Sequence, residues 1–178
     1  MGLFGRLMGR DLPERRDGRR IYFRLLEQAR QPGFFGSGRF ADDYDGRIDA
    51  ISLHMAVLME RLRSEGEDGR LLTQAMFDEM KDDFEIALRE EAIGDTGVKK
   101  RIKPMIGHFY DRLKTYTDAL TGPDAVDVLA QSLRLTDTDD AHQDFARKIA
   151  AYAVQWSRDL KQTRLEDITS GRFYFPEL

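Results

Sequence analysis

Asp78, Asp82 and Asp83 fall within about one helical turn of each other, a spacing at which a helix can present two carboxylates to a metal ion or to a proton in transfer. A bundle metal site draws its acids or histidines from several facing helices, and no Glu-x-x-His pair occurs in the chain. His54, His108 and His142 stand in separate segments without a metal-ligating spacing. The chain has no cysteine, which removes disulfides, thiolate nucleophiles, iron–sulfur ligation and cysteine-bound zinc. No nucleophile elbow or phosphate loop follows a strand. These observations predict a protein that is not an enzyme and uses neither metal nor cofactor. A carboxylate-metal enzyme is the weakest alternative, because charged residues on a helix usually form a solvated face.

The second chemical feature is basic. Lys99, Lys100, Arg101 and Lys103 crowd the expected start of a helix, where the helix dipole already favours anions. Phosphate binding follows, with ribosomal RNA as one source, which makes an RNA- or ribosome-binding helical module the main alternative. The competing reading pairs these residues with the acidic helix just before them, across the turn from Gly94 to Gly97. The net charge of -4 rules out a strong overall basic field, so any nucleic-acid contact must be local.

Helices must position both features. Ile21, Leu25, Leu26 and Ala29 mark a first helix that stops at Pro32-Gly33, followed by a loop holding Phe34, Phe35, Phe40 and Tyr44. From Arg47 to Ser64, apolar residues lie on two sides, which predicts a helix buried on both, with His54 between the stripes as a hydrogen-bonded packing residue. A third helix runs from Gly69 to Ala92, with Leu72, Met76, Met80, Phe84, Ala87 and Leu88 inward. A fourth follows to Leu120, capped by Asp95 or Thr96 and kinked at Pro104. Two more, Asp124 to Leu135 and Asp139 to Leu160, complete the set. Strand signals are nearly missing. The expectation is an all-α fold, a single compact helical domain of about six helices with short connections.

Residues 1–20 carry six arginines and few apolar residues, and read as a mobile basic arm with weak peripheral membrane contact through Leu3, Phe4, Leu7 and Met8. Residues 21–168 form the helical domain. Residues 169–178, with Phe173, Tyr174 and Phe175, form an aromatic tail that closes over its own helices or meets another protein. No segment approaches the roughly 20 apolar residues of a membrane span, and no signal peptide is present, which predicts a cytoplasmic protein.

The stretch "MFDEMKDDFEIALREEAIGDTGVKKRIKPMIGHFYDRLKTY" resembles the central segment of the ubiquinol–cytochrome c chaperone family. Upstream, "QARQPGFF" and "DDYDGRIDAISLHMAVLMERL" resemble the segments that precede it in that family, so the resemblance covers about residues 20 to 120. It departs from the family pattern at Glu91, Pro104 and Asp111. The resemblance implies an all-α assembly factor of the cytochrome bc1 complex, in a bacterial form, that binds newly made, haem-poor cytochrome b. It also implies that ribosome contact and association with the cytoplasmic face of the inner membrane are to be tested, and it assigns no small partner protein. On this reading Glu79, Asp82, Asp83, Arg89, Asp95, Lys100 and Lys103 border the client surface, with His54 and Tyr110 supporting it from beneath. The competing reading makes them intramolecular ion pairs.

Overall fold

The structure is a computed structural model that describes residues 12–90, 94–136 and 140–178. Among them are seven α-helices and no strand, the last helix a single turn: α1 (Pro13–Ala29), α2 (Tyr44–Leu62), α3 (Gly66–Glu90), α4 (Asp95–Thr121), α5 (Ala125–Ser132), α6 (Asp140–Gln162) and α7 (Leu165–Thr169). The all-α expectation holds.

The core is built around α2. Every residue from Ile48 to Met59 is buried, so the helix is enclosed on all sides rather than on the two that its apolar stripes define. Its start is fixed by Asp43, whose carboxylate accepts a hydrogen bond from the Gly46 backbone N–H at 2.9 Å. Around α2, α4 packs along one side and α6 along another, while α1 lies mainly against α3.

The α1–α3 contact is set by a glycine. A Cβ built on Gly18 would sit 2.5 Å from the Ala75 Cβ and 3.1 Å from backbone atoms of residues 75 and 76. Only the absence of a side chain lets the two helix backbones approach this closely. α1 therefore begins at Pro13, whose fixed φ and missing N–H suit a first helical turn. Arg15, Arg16, Arg19 and Arg20 are helical rather than part of an arm, and residues 1–11 lie outside the described residues.

One local expectation is corrected. Gly94, not Asp95 or Thr96, caps α4: its carbonyl accepts from the N–H groups of Gly97 and Val98 at 2.7 and 3.1 Å, without a side-chain cap. α4 contains Pro104 and runs as one helix to Thr121, close to the extent expected of it. Past α6 the chain folds back over the core. Phe173 is 3% exposed, and the Phe175 ring centroid lies 4.8 Å from that of Trp156, so the aromatic tail closes over its own helices.

Candidate functional site

A cleft of about 860 Å³ opens where four elements meet: the end of α1, the loop after it, the start of α2 and the last turns of α3, with Met105 of α4 behind them. Its floor is apolar because each element turns its core face there, with Leu26, Ile48, Ile51 and Phe84 buried. Arg30, Asp42, Arg47, Asp83 and Glu90 also line it. An apolar trough with charged edges suits an extended or helical peptide segment better than a small polar substrate.

The loop wall is held by its aromatics. Phe34 and Phe40 are buried, residues 35 and 40 form an isolated bridge, and the Phe34 ring stands edge-on to His54 at 5.1 Å between centroids. His54 is itself fully buried. Its Nδ1–H donates to the Ala50 carbonyl at 2.8 Å, and its Nε2 accepts from the Tyr152 hydroxyl at 3.0 Å. The hydroxyl in turn accepts from Gln28 at 3.2 Å, so one hydrogen-bond chain ties α1, α6 and α2. Burial lowers the His54 pKa to about 4, which keeps the ring neutral. The packing role expected of His54 is the one it has, and it lies under the cleft's loop wall.

The acidic residues of α3 are met by α1. Arg15 lies 3.8 Å from Asp78, Arg19 3.8 Å from Glu79 and Arg30 3.8 Å from Asp83. Asp83 also accepts from the Tyr22 hydroxyl at 2.9 Å, and burial, together with this carboxylate, raises the phenol's pKa so that it stays a donor. Asp78 takes a further bond from Gln74 at 2.9 Å. Among the described residues no group of three or more histidine, aspartate or glutamate side chains could hold a metal ion.

The structure does not bring the proposed border residues onto one surface. Asp83 lines the cleft, Glu79 faces α1, and Asp82 and Arg89 are exposed, the latter 3.7 Å from Glu85. Lys100 and Lys103 lie roughly 140–160° around α4 from Met105 at about 100° per residue, on the side away from the cleft. Both are exposed, and among the described residues neither they nor Lys99 form an ion pair with the acids of α3. Tyr110 is 49% exposed and stacks on Phe77 at 5.2 Å, with its pKa raised by burial and by Asp78. The side chains of Asp95 and His142 lie outside the described residues.

Sequence reasoning missed two sets of residues. The cleft lining was invisible because its members read as ordinary core positions of separate helices. The other set is Asp49, buried at 2% exposure in α2, which meets His108 and Arg112 of α4. An acid among the apolar residues of a helix enclosed on all sides was the available signal.

A family model described as ubiquinol-cytochrome C chaperone matches residues 38–175. The crystal structure of the Cbp3 homolog from Brucella abortus is similar over 98% of this chain and 95% of that one, with 30% sequence identity and a TM-score of 0.75. No curated protein matches the chain.

Proposed function

We propose that this chain, which belongs to the ubiquinol-cytochrome C chaperone family, is a non-catalytic assembly chaperone of the cytochrome bc1 complex that holds newly made cytochrome b in the cleft between α1, α2 and α3. The carrying observation is the cleft's construction: a continuous apolar floor open to solvent, edged by charges of both signs. Before assembly a membrane protein exposes apolar segments, and a trough of this kind shields one without requiring a single sequence. Met105, partly buried like Phe35 against the core, can adapt to imperfect side chains. Asp83 borders the trough directly and His54 supports its loop wall through Phe34, while Asp82 and Arg89, exposed on α3 outside the trough lining, meet the client only where it extends beyond the trough.

Glu79, Lys100 and Lys103 contribute at a distance. The arginines of α1 offset much of the acidic charge of α3, so the exposed lysines of α4 set the local field and steer an acidic partner toward the molecule. The same lysines favour ribosome contact as a second reading, which predicts binding that weakens steeply with salt. Tyr110 stands on their side of α4 and adds an exposed aromatic to that face. Among the described residues no helix is long and apolar enough to cross a membrane, and a cytoplasmic protein held at the inner membrane by its client fits that composition.

The test is affinity purification of the full tagged chain from native membranes and cytosol in mild detergent, with mass spectrometry for cytochrome b. Enrichment of cytochrome b without the other subunits of the mature complex is expected, and Ala87→Arg, which fills the trough from its wall, should lose it at an unchanged melting temperature. Recovery of ribosomal proteins without cytochrome b, or full retention by Ala87→Arg, would overturn the reading.

A further inference from the structure

On the flank of α4 away from the cleft lies a second hollow, of about 340 Å³, lined by Pro104, Gly107, His108, Asp111, Arg112 and Arg134. Two residues of α4 open it. Pro104 carries a compact ring, and a Cβ built on Gly107 would meet nothing within 4 Å.

Its floor is a polar cluster inside the core. His108 Nε2 lies 2.8 Å from a carboxylate oxygen of Asp49, and Arg112 Nε lies 3.4 Å from the same oxygen. The Arg112 guanidinium donates to the Ser132 carbonyl at 2.9 Å and lies 5.0 Å from the centre of the Tyr116 ring. Arg112 is 6% exposed, yet its Nε is buried without a hydrogen-bond partner, as is the Tyr116 hydroxyl. Asp49 meets the Arg112 charge at 3.4 Å without a hydrogen bond to Nε, so the ion pair is loose and leaves room for a second anion to share the guanidinium.

The charges show what would complete it. Asp49 balances one cation at the floor. Arg134, which approaches from the segment after α5, is left at the wall, and Lys100 stands one helical turn before Pro104 on the same side of α4. Asp111, exposed at the rim, is the acid that opposes them. Two guanidinium forks that reach one small hollow from different elements suit a tetrahedral oxyanion, whose oxygens can be shared between them. A planar carboxylate is served by a single fork.

We propose that this hollow is a binding site for a phosphate group, held by Arg112 and Arg134 with Lys100 at its mouth. The ligand joins α4 to the segment leaving α5. The proposal rests on the cluster alone and stands or falls independently of the client cleft.

The group has two sources, a free phosphate compound and a phospholipid headgroup. Amide signals of Gly107 and His108 in the full-length protein are followed by NMR during titration with inorganic phosphate, with chloride holding the ionic strength constant. A saturable shift is expected, with affinity about tenfold weaker in Arg134→Gln, whose side chain is exposed and whose loss leaves the floor intact. Phosphatidylcholine vesicles containing phosphatidic acid form the second arm. Vesicles that compete with inorganic phosphate at the same signals assign the source to a headgroup, and vesicles without effect beside a saturating phosphate titration assign it to a free compound. No saturable shift, or the same affinity in Arg134→Gln as in the unaltered protein, overturns the proposal.

Discussion

His54 makes the fold acid-labile in a way that can be calculated. In the folded chain its ring is neutral, donating to Ala50 and accepting from Tyr152, and burial lowers its pKa from 6.5 to about 4. The sign follows from proton counts. Between those two values the unfolded chain binds a proton that the folded chain refuses, so acid favours unfolding. Above pH 6.5 the group has no effect, the penalty grows as the pH falls, and it levels off near pH 4 when the folded ring also takes a proton. At about 1.4 kcal/mol per pH unit, the full effect is about 3 kcal/mol. That is a large share of the roughly 5–15 kcal/mol that stabilises an ordinary domain. The assay is urea unfolding at pH values from 7.5 to about 4, comparing the unaltered protein with His54→Gln, which keeps a donor and an acceptor but does not titrate. The variant should lose about 1–2 kcal/mol at pH 7.5 from poorer hydrogen bonds. Its stability should then fall with acid about 3 kcal/mol less than that of the unaltered protein. Parallel curves for the two proteins would refute the reasoning, because the other carboxylates and histidines titrate in both.

Two further substitutions probe the frame. Gly18→Ala would ordinarily strengthen a helix by about 1 kcal/mol, but the new Cβ, placed 2.5 Å from that of Ala75, must push α1 off α3; thermal unfolding should show a net loss of about 1–2 kcal/mol, and a gain would mean that the crossing is looser than it is drawn. Phe175→Ala removes a ring that contacts Trp156, the only tryptophan, at 4.8 Å; a loss of about 2 kcal/mol and a red-shifted tryptophan emission are expected, and unchanged emission would show that the tail does not cover that ring.

What could be read from the sequence depended on how local its cause was. The periodic apolar residues of α3 and α4 gave those helices to within a few residues, since Met76, Met80, Phe84 and Leu88, and then Val98 and Phe109, are buried at the spacing that they predicted. The first turns of α1 look like an arm in the sequence because they carry arginines and no large apolar side chain. Their packing rests on Gly18, where the absence of a side chain is the contact, and a hydrophobic pattern cannot register it. Asp49 was equally silent. Its partners stand about 60 residues away in α4, and only tertiary structure brings them to 2.8 and 3.4 Å. The cleft is a property of the junction of four elements, so no single segment encodes it.

The change from acid to base across residues 78–103 alters its meaning once α1 is in place. In the sequence it is a dipole, two opposite charges facing each other over a turn. In the fold, three of the acids on α3 stand 3.8 Å from Arg15 and Arg19 of α1 and Arg30 just past its end, in partly exposed pairs worth about 0.5 kcal/mol each that therefore matter more for the field they cancel than for stability. Lys100 and Lys103 have no such counterpart among the described residues and lie on the side of α4 away from the cleft. On the function proposed above, steering and holding fall to different faces of the molecule. Reversing the charge of Lys100 and Lys103 together should slow client association and invert its dependence on salt, since salt then screens a repulsion, while the rate of dissociation, set in the cleft on the proposed reading, stays the same. Stopped-flow or surface-binding kinetics with an apolar client segment carrying an acidic flank would separate the two rates. A change confined to dissociation would place the lysines in the holding contact and undo this division.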